Sequence, residues 1–182
     1  MLPGYVVGAV NDDAYRIVLI LHILCAIIGF GAVFLNGIYG AQAKARSGAE
    51  GLAIMEANFK VSRIGEYFIY AVFLLGFALV QMSDDVFKFS QTWLWLALAV
   101  YVVALGISHG LLIPRVKKMI ALMRELVDAG PAGAGAGPAG PPPQAAQLEA
   151  LGKQVAVFSG TLNVMLIVIV FLMVWKPGGV LV

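Results

Sequence analysis

Charged side chains are scarce in this sequence. Asp, Glu, Lys and Arg make up 12% of its 182 residues, about half of the roughly 25% found in soluble domains. Hydrophobic residues make up 61%. The net charge of +2 is too small to indicate nucleic acid as a partner. This composition is typical of a membrane protein.

Cysteine and histidine are also rare, with one Cys (Cys25) and two His (His22 and His109). A single Cys excludes an intramolecular disulfide, and there is no CxxC motif or Cys/His spacing for zinc. The sequence also lacks a phosphate-binding loop, a nucleophile elbow, an HExxH motif and paired catalytic carboxylates. The motifs therefore predict no metal site and leave enzymatic activity open.

The sequence contains four long apolar runs. Each is close to the roughly 20 residues that a helix needs to cross a bilayer. The runs are continuous rather than alternating, which favours helices over barrel strands. The first run is too long for a signal peptide. We predict an all-α, four-helix transmembrane bundle forming one membrane domain (residues 1–182), with spans at about 17–40, 64–81, 92–114 and 155–175.

The cations indicate an orientation. Nine of the twelve Lys and Arg residues lie in the links 41–63 and 115–153. By the positive-inside rule, both links lie in the cytoplasm and both termini lie outside. We expect a short helix in the first link, running toward Phe59.

The second link has two parts. Residues 115–128, "RVKKMIALMRELVD", are amphipathic, and two alternatives remain open: a helix lying along the bilayer surface, or a solvated continuation of the third span. Residues 129–144 are rich in Gly, Ala and Pro without periodicity, which predicts a disordered cytoplasmic linker.

Small and polar residues form stripes on the first two spans. Spacings of three and four place such residues on one helix face, where small side chains allow close helix packing and polar groups avoid lipid. The stripe of span one contains His22, Cys25, Gly29, Ala32, Asn36 and Gly40, and the stripe of span two contains Arg63, Glu66, Tyr70, Phe73, Phe77 and Gln81.

Ionisable residues inside a membrane are costly, so each is a candidate for function. His22 is either a haem or metal ligand, or a neutral histidine bonded to a neighbouring helix. Arg63 and Glu66 form either an interfacial ion pair or, with His109, a proton relay. The two histidines differ in predicted depth, so we do not expect one haem to be held by both. The predicted polar interior cluster contains Asn36, Arg63, Glu66, His109, Arg115 and Asn163.

Two segments carry a family resemblance: "LH" followed by "GFGAVF" in the first span, and "GISHGLLIPR" in the third. They resemble an uncharacterised family of bacterial four-helix integral membrane proteins, a domain of unknown function, over about residues 15–175 without the linker. That group is distantly similar to copper-resistance D proteins and to the HemJ-type protoporphyrinogen oxidase. The resemblance implies that His22 is the axial ligand of a b-type haem.

These observations predict a multi-pass protein of the bacterial plasma membrane. Its specific function is unassigned, with haem or a metal in the bundle interior as the leading hypothesis. The alternatives are a non-catalytic accessory subunit of a larger, respiratory-type membrane complex and a small transporter. The expected partners are the lipid bilayer and either other membrane subunits or a second copy, with no nucleic acid.

Overall fold

Four long helices make up the computed structural model, which describes residues 10, 12–46, 48–130 and 143–178. No strand occurs among these residues, and each helix is long and apolar enough to cross a membrane. The predicted all-α fold with four spans is therefore confirmed. The helices are α1 (Asp13–Ala45), α2 (Gly48–Gln81), α3 (Thr92–Asp128) and α4 (Pro143–Trp175).

α2, α3 and α4 outrun the predicted spans at one end only, whereas α1 begins at Asp13 and ends at Ala45, beyond both predicted limits. Gln81, Thr92 and Trp175 end or begin helices where the hydropathy indicated. At the opposite ends the helices continue, so that each reaches 33 to 37 residues, or about 50 Å at 1.5 Å per residue. A hydrocarbon core is about 30 Å thick, so each helix extends well beyond it.

The predicted links are correspondingly shorter. A helix does run from the first link toward Phe59, but it is not a short one, because α1 runs to Ala45 and α2 runs unbroken from Gly48 to Gln81. Most of the predicted linker, residues 131–142, lies outside the described residues. At its far end Pro143 and Gln144 already belong to α4.

The chain divides into two compact units, and every helix contributes to both. The first unit comprises Met1–Ala32, Arg63–Val103 and Met165–Val182, and the second comprises Val33–Ser62 and Ala104–Val164.

In the first unit, α1 and α2 approach closely through small residues. A Cβ added to Gly65 would lie 2.6 Å from the Ala32 Cβ, and one added to Gly29 would lie 3.1 Å from the Ile69 backbone nitrogen. Both distances are shorter than van der Waals contact, so the glycines are what allow this approach. Gly29 and Ala32 belong to the small-residue face predicted for span one.

The α2–α3 loop of the first unit is held by one hydroxyl and one ammonium group. Ser83 is fully buried; its Oγ donates to the Val80 carbonyl (2.7 Å) and accepts from the Phe87 N–H (3.0 Å). The Lys176 Nζ, just beyond α4, lies 4.5 Å from the centre of the Phe87 ring and 5.9 Å from that of Trp93. Burial lowers the pKa of Lys176 from its usual value. This contact fastens the end of α4 to the loop.

The second unit has its own apolar core, in which Met55 of α2 lies among residues from the other helices. This core explains why the helices continue beyond the predicted spans, since their apolar faces are buried against one another. Arg124 of α3 also donates to Glu56 of α2. Segment 115–128 therefore continues α3, the second of the two alternatives above. The buried members of the core are Ala43, Met55, Met119 and Ile120.

A π-helical turn, Ser108–Leu112, interrupts α3. The Ile113 N–H donates to the Ser108 carbonyl, five residues back instead of four. Pro114 follows directly and has no N–H to donate, and its ring would crowd the carbonyl four residues earlier in a regular helix. Widening the turn accommodates this proline. Such turns are frequent at functional sites, and this one carries His109.

Candidate functional site

Glu66 is a buried carboxylate within a membrane span. Residues 63, 66 and 70 share one face of α2, because their spacings are three and four. Glu66 is 8% exposed; its Oε2 accepts from the Arg63 guanidinium and its Oε1 accepts from the Tyr70 hydroxyl. We call Arg63, Glu66 and Tyr70 the Glu66 triad. Each carboxylate oxygen therefore has a donor on its own helix.

The carboxylate of the Glu66 triad is buried, whereas both of its donors are exposed. The Arg63 side chain is 45% exposed, against 10% for that of Glu66. Beyond Tyr70, the same face of α2 continues with Phe73 and Phe77. Phe73 stacks on Tyr101 of α3 at 5.6 Å between ring centres, and Phe77 lies 5.3 Å from Phe89. An aromatic layer thus follows Tyr70 on this face and separates the triad from Gln81, the next polar residue of the stripe.

Tyr101 adds a polar group beside this layer. Its hydroxyl donates to the Ile69 carbonyl of α2 at 3.2 Å. That carbonyl lies between Glu66 and Phe73 along the helix, so the Tyr101 hydroxyl reaches the level of the Glu66 triad from α3.

His22 faces α2 at a glycine. A Cβ added to Gly76 would lie 3.0 Å from the His22 Cε1 and 3.5 Å from Nδ1. Only these two ring atoms come within 4 Å of that position, so Nε2 lies farther from Gly76. The Val72 backbone is within reach of the imidazole, but Nδ1 makes no hydrogen bond of ordinary geometry to a described residue. Cys25, one turn along α1, is a partly buried free thiol.

Asn36 lies in the second unit and contacts α2 through Ser62. The Ser62 Oγ is 2.7 Å from the Asn36 Oδ1 and 2.8 Å from the Asn58 carbonyl. One hydroxyl proton serves one acceptor at a time. With the Asn36 amide turned by 180°, its Nδ2 donates to Ser62 and Ser62 donates to Asn58, which satisfies both contacts. Asn36 thus joins two helices by a polar contact inside the span.

Arg115 follows the π-turn of α3 and reaches across to α4. Its Nε donates to the Gln154 Oε1 at 2.7 Å, its Nη1 donates to the Leu111 carbonyl at 2.8 Å, and its guanidinium lies 4.8 Å from the centre of the Phe158 ring. All its recorded contacts lie within the second unit, and they hold α3 against α4.

The other two predicted residues of the second unit differ in exposure. His109 is exposed, and its Nδ1 lies 2.9 Å from the Leu105 carbonyl, one turn back on its own helix. Asn163 is partly buried, and its Oδ1 has no hydrogen-bond partner among the described residues.

The structure thus joins two of the six residues in the predicted polar interior cluster. Arg63 and Glu66 pair directly in the first unit. The contacts described for the remaining four belong to the second unit and involve separate neighbours. A single interior site made by all six remains a prediction.

The family model for predicted integral membrane proteins named DUF2269 matches residues 16–177. The chain belongs to this family. Comparison with curated proteins and with solved structures found no significant match. The expected distant similarity of this DUF2269 protein to copper-resistance D and HemJ-type proteins is not shown by these comparisons.

The described part of this DUF2269 protein contains no cluster of the side chains that usually bind metal ions. There, no three His, Cys, Asp or Glu side chains come together to hold a metal ion. A haem needs fewer protein ligands than a bare metal ion, and His22 alone supplies one imidazole.

Several partners of these residues were not predicted from the sequence. Tyr70 was predicted on the stripe of span two but not as a site residue, and Ser62, Asn58 and Gln154 were not predicted as partners. One signal was present: Asn58, Ser62 and Glu66 recur every fourth residue, which puts three polar side chains on one helix face. No comparable signal marks Gln154, because its role depends on where α3 and α4 meet.

Proposed function

We propose that this DUF2269 protein binds and releases a proton at Glu66 and serves as a proton-transfer element in the membrane. The observation that supports this most directly is the burial of one carboxylate between a partly exposed Arg63 and the Tyr70 hydroxyl. An ionisable group within a span is expensive to maintain. Carboxylates held in hydrogen-bonded sites are common proton carriers in pumps and transporters.

The ends of the Glu66 triad define the direction of access. The triad begins at the charged Arg63, and the face beyond Tyr70 is aromatic, with Phe73 against Tyr101 and Phe77 against Phe89. Arg63 and Tyr70 are seven residues apart, or about 10 Å along the helix, so the polar path covers only part of a roughly 30 Å core. This geometry favours a half-channel loaded from one side over a continuous pore.

Location and orientation complete the proposal. We propose that the protein lies in the bacterial plasma membrane with both termini outside, because nine of its twelve Lys and Arg residues lie in the two predicted cytoplasmic links. In that orientation the Arg63 end of the triad faces the cytoplasm. The same site suits a small proton-coupled transporter or a subunit of a larger membrane complex.

The test compares two glutamates on the same helix. In the reconstituted full-length chain, infrared titration should show a carboxyl band that disappears in Glu66→Gln and persists in Glu56→Gln. Glu56 is the matched control, because it also pairs with an arginine, Arg124. We expect Glu66→Gln to slow proton uptake into vesicles by on the order of 10²-fold, the size of a typical acid–base contribution.

A further variant separates chemistry from folding. Tyr70→Phe removes one hydrogen bond to the carboxylate without changing any charge, so it should shift the titration of the band while the protein remains folded. Indistinguishable bands and uptake rates in the Glu66→Gln and Glu56→Gln proteins would show that the Arg63–Glu66 pair is only structural.

The arrangement of His22 favours haem binding as a second candidate function. The Cε1–Nδ1 edge of the ring faces α2 near Val72 and Gly76, while Nε2 lies farther from Gly76. Histidines that bind metal usually turn their other ring nitrogen toward a carbonyl or a carboxylate. A b-type haem held there would supply one-electron chemistry, and His22 would be one of the residues that hold it.

An optical spectrum tests this second function. We expect the purified protein, expressed with haem available, to show a b-type spectrum that is reduced by dithionite. The spectrum should be lost in His22→Ala and kept in His109→Ala, since His109 is the other histidine of the chain. A wild-type protein without a Soret band would exclude haem and leave His22 as a packing residue against Gly76.

A further inference from the structure

Three lysines of the second unit form an exposed cationic surface. Lys60, Lys117 and Lys118 are exposed, and none of them forms an ion pair within the described residues. Two other cations of the unit do form ion pairs: Arg124 with Glu56, and Lys153 with Glu149 at 2.9 Å. The charge of the three lysines is therefore not neutralised inside the unit.

The three lysines lie at one level, although they belong to two helices. Phe59 of α2 and Val116 of α3 pack against the same apolar core of the second unit. Lys60 follows Phe59 in the chain, and Lys117 follows Val116. Contact with a common core therefore brings Lys60 to about the same height as Lys117 and Lys118.

That level corresponds to the headgroup layer of a bilayer. Lys117 is three residues beyond Pro114, where the apolar run of α3 ends, and Lys60 is four residues before Ile64, where that of α2 begins. These separations are about 4.5 and 6 Å along a helix. The polar layer on each side of the hydrocarbon core is only about 5–8 Å deep, so the ammonium groups fall within it.

We propose that Lys60, Lys117 and Lys118 form a binding surface for the phosphate groups of anionic lipids. Cations at this depth attract anionic headgroups, and the attraction fades within a Debye length, which is about 8 Å at physiological ionic strength. The charge left unpaired by the fold and the position beside the ends of the apolar runs both suit a lipid phosphate.

The chain supplies a matched control that lies farther than Lys60 from the end of the apolar run of α2. The Arg46 carbonyl lies beside Gly51, because a Cβ added there would be 2.3 Å away. Gly51 precedes Lys60 by nine residues, or about 13 Å along α2. Arg46 and its neighbour Lys44 are exposed and carry the same total charge as Lys117 and Lys118.

The experiment measures lipid retention by native mass spectrometry. Full-length protein is equilibrated with equal amounts of phosphatidylglycerol and phosphatidylcholine, and the retained lipids are counted. We expect the wild type to prefer phosphatidylglycerol and Lys117→Gln/Lys118→Gln to lose most of that preference, by on the order of fivefold for each cation. Lys44→Gln/Arg46→Gln should keep it, and so should Lys117→Arg/Lys118→Arg, because the surface recognises charge.

Three results would overturn the proposal. The first is a wild-type protein without a preference for the anionic lipid. The second is an unchanged preference in Lys117→Gln/Lys118→Gln. The third is an equal loss in Lys44→Gln/Arg46→Gln, since that would show an effect of net charge and not of this surface. Circular dichroism of each variant establishes that the helices are intact.

Discussion

Gly65 of α2 lies so close to α1 that a methyl group has no room there. The Cβ of an alanine at this position would be 2.6 Å from that of Ala32. The hydrophobic effect contributes little to the attraction between helices in lipid, so close backbone packing provides much of the stability of the helix contact. A methyl group added at Gly65 would therefore push α1 and α2 apart and weaken their contact.

Gly65→Ala should lower the free energy of unfolding by about 1–3 kcal/mol, the usual cost of overpacking. The check is the midpoint of denaturation by sodium dodecyl sulfate. Ala32→Gly in the same chain should restore part of the loss, because it removes the clashing methyl group. Gly31→Ala is the control, since nothing lies within 4 Å of its added Cβ. Equal midpoints for Gly65→Ala and the wild type would contradict the close contact.

At the scale of whole helices, α3 shows why hydropathy predicts one end of a span and misses the other. Its outer end at Thr92 coincides with the first apolar residues. Its inner end lies 14 residues beyond Pro114, at Asp128, because Met119 and Ile120 bury their side chains against α1 and α2. The amphipathic pattern of this segment was visible in the sequence, but the surface that covers it was not.

Met119→Ala should destabilise this inner part of α3 by about 2–3 kcal/mol, because it leaves a cavity in the core of the second unit. Hydrogen exchange should accelerate in residues 116–128 and in the facing part of α2. Leu111→Ala on the same helix is the comparison: Leu111 is 37% exposed, and lipid can fill the space that its side chain leaves. Similar exchange rates for the two variants would mean that Met119 is not part of a packed core.

At the scale of the molecule, the sequence was sufficient for the number of spans and for the pairing of Arg63 with Glu66. Charge scarcity and run length determine the spans, and residues three apart on one helix meet wherever that helix lies. Contacts between helices were harder to predict. A membrane span contacts apolar lipid on one face and apolar side chains on the other. Its hydropathy therefore hardly indicates which face turns toward the other helices. Hence Gly65 and Gly76 were missed as partners of α1, and so was the division into two units.

The short connection between α1 and α2 bears on how the protein is made. Only Arg46 and Ser47 separate the two helices, and α2 is the least apolar of the four spans because it carries Arg63 and Glu66. Because α1 precedes α2 in the chain, it is synthesised first, and segments generally fold in the order of synthesis. When α2 leaves the translocon, the small-residue face of α1 is already beside it in the bilayer. We therefore expect α1 to offer the charged second helix a packing surface during insertion.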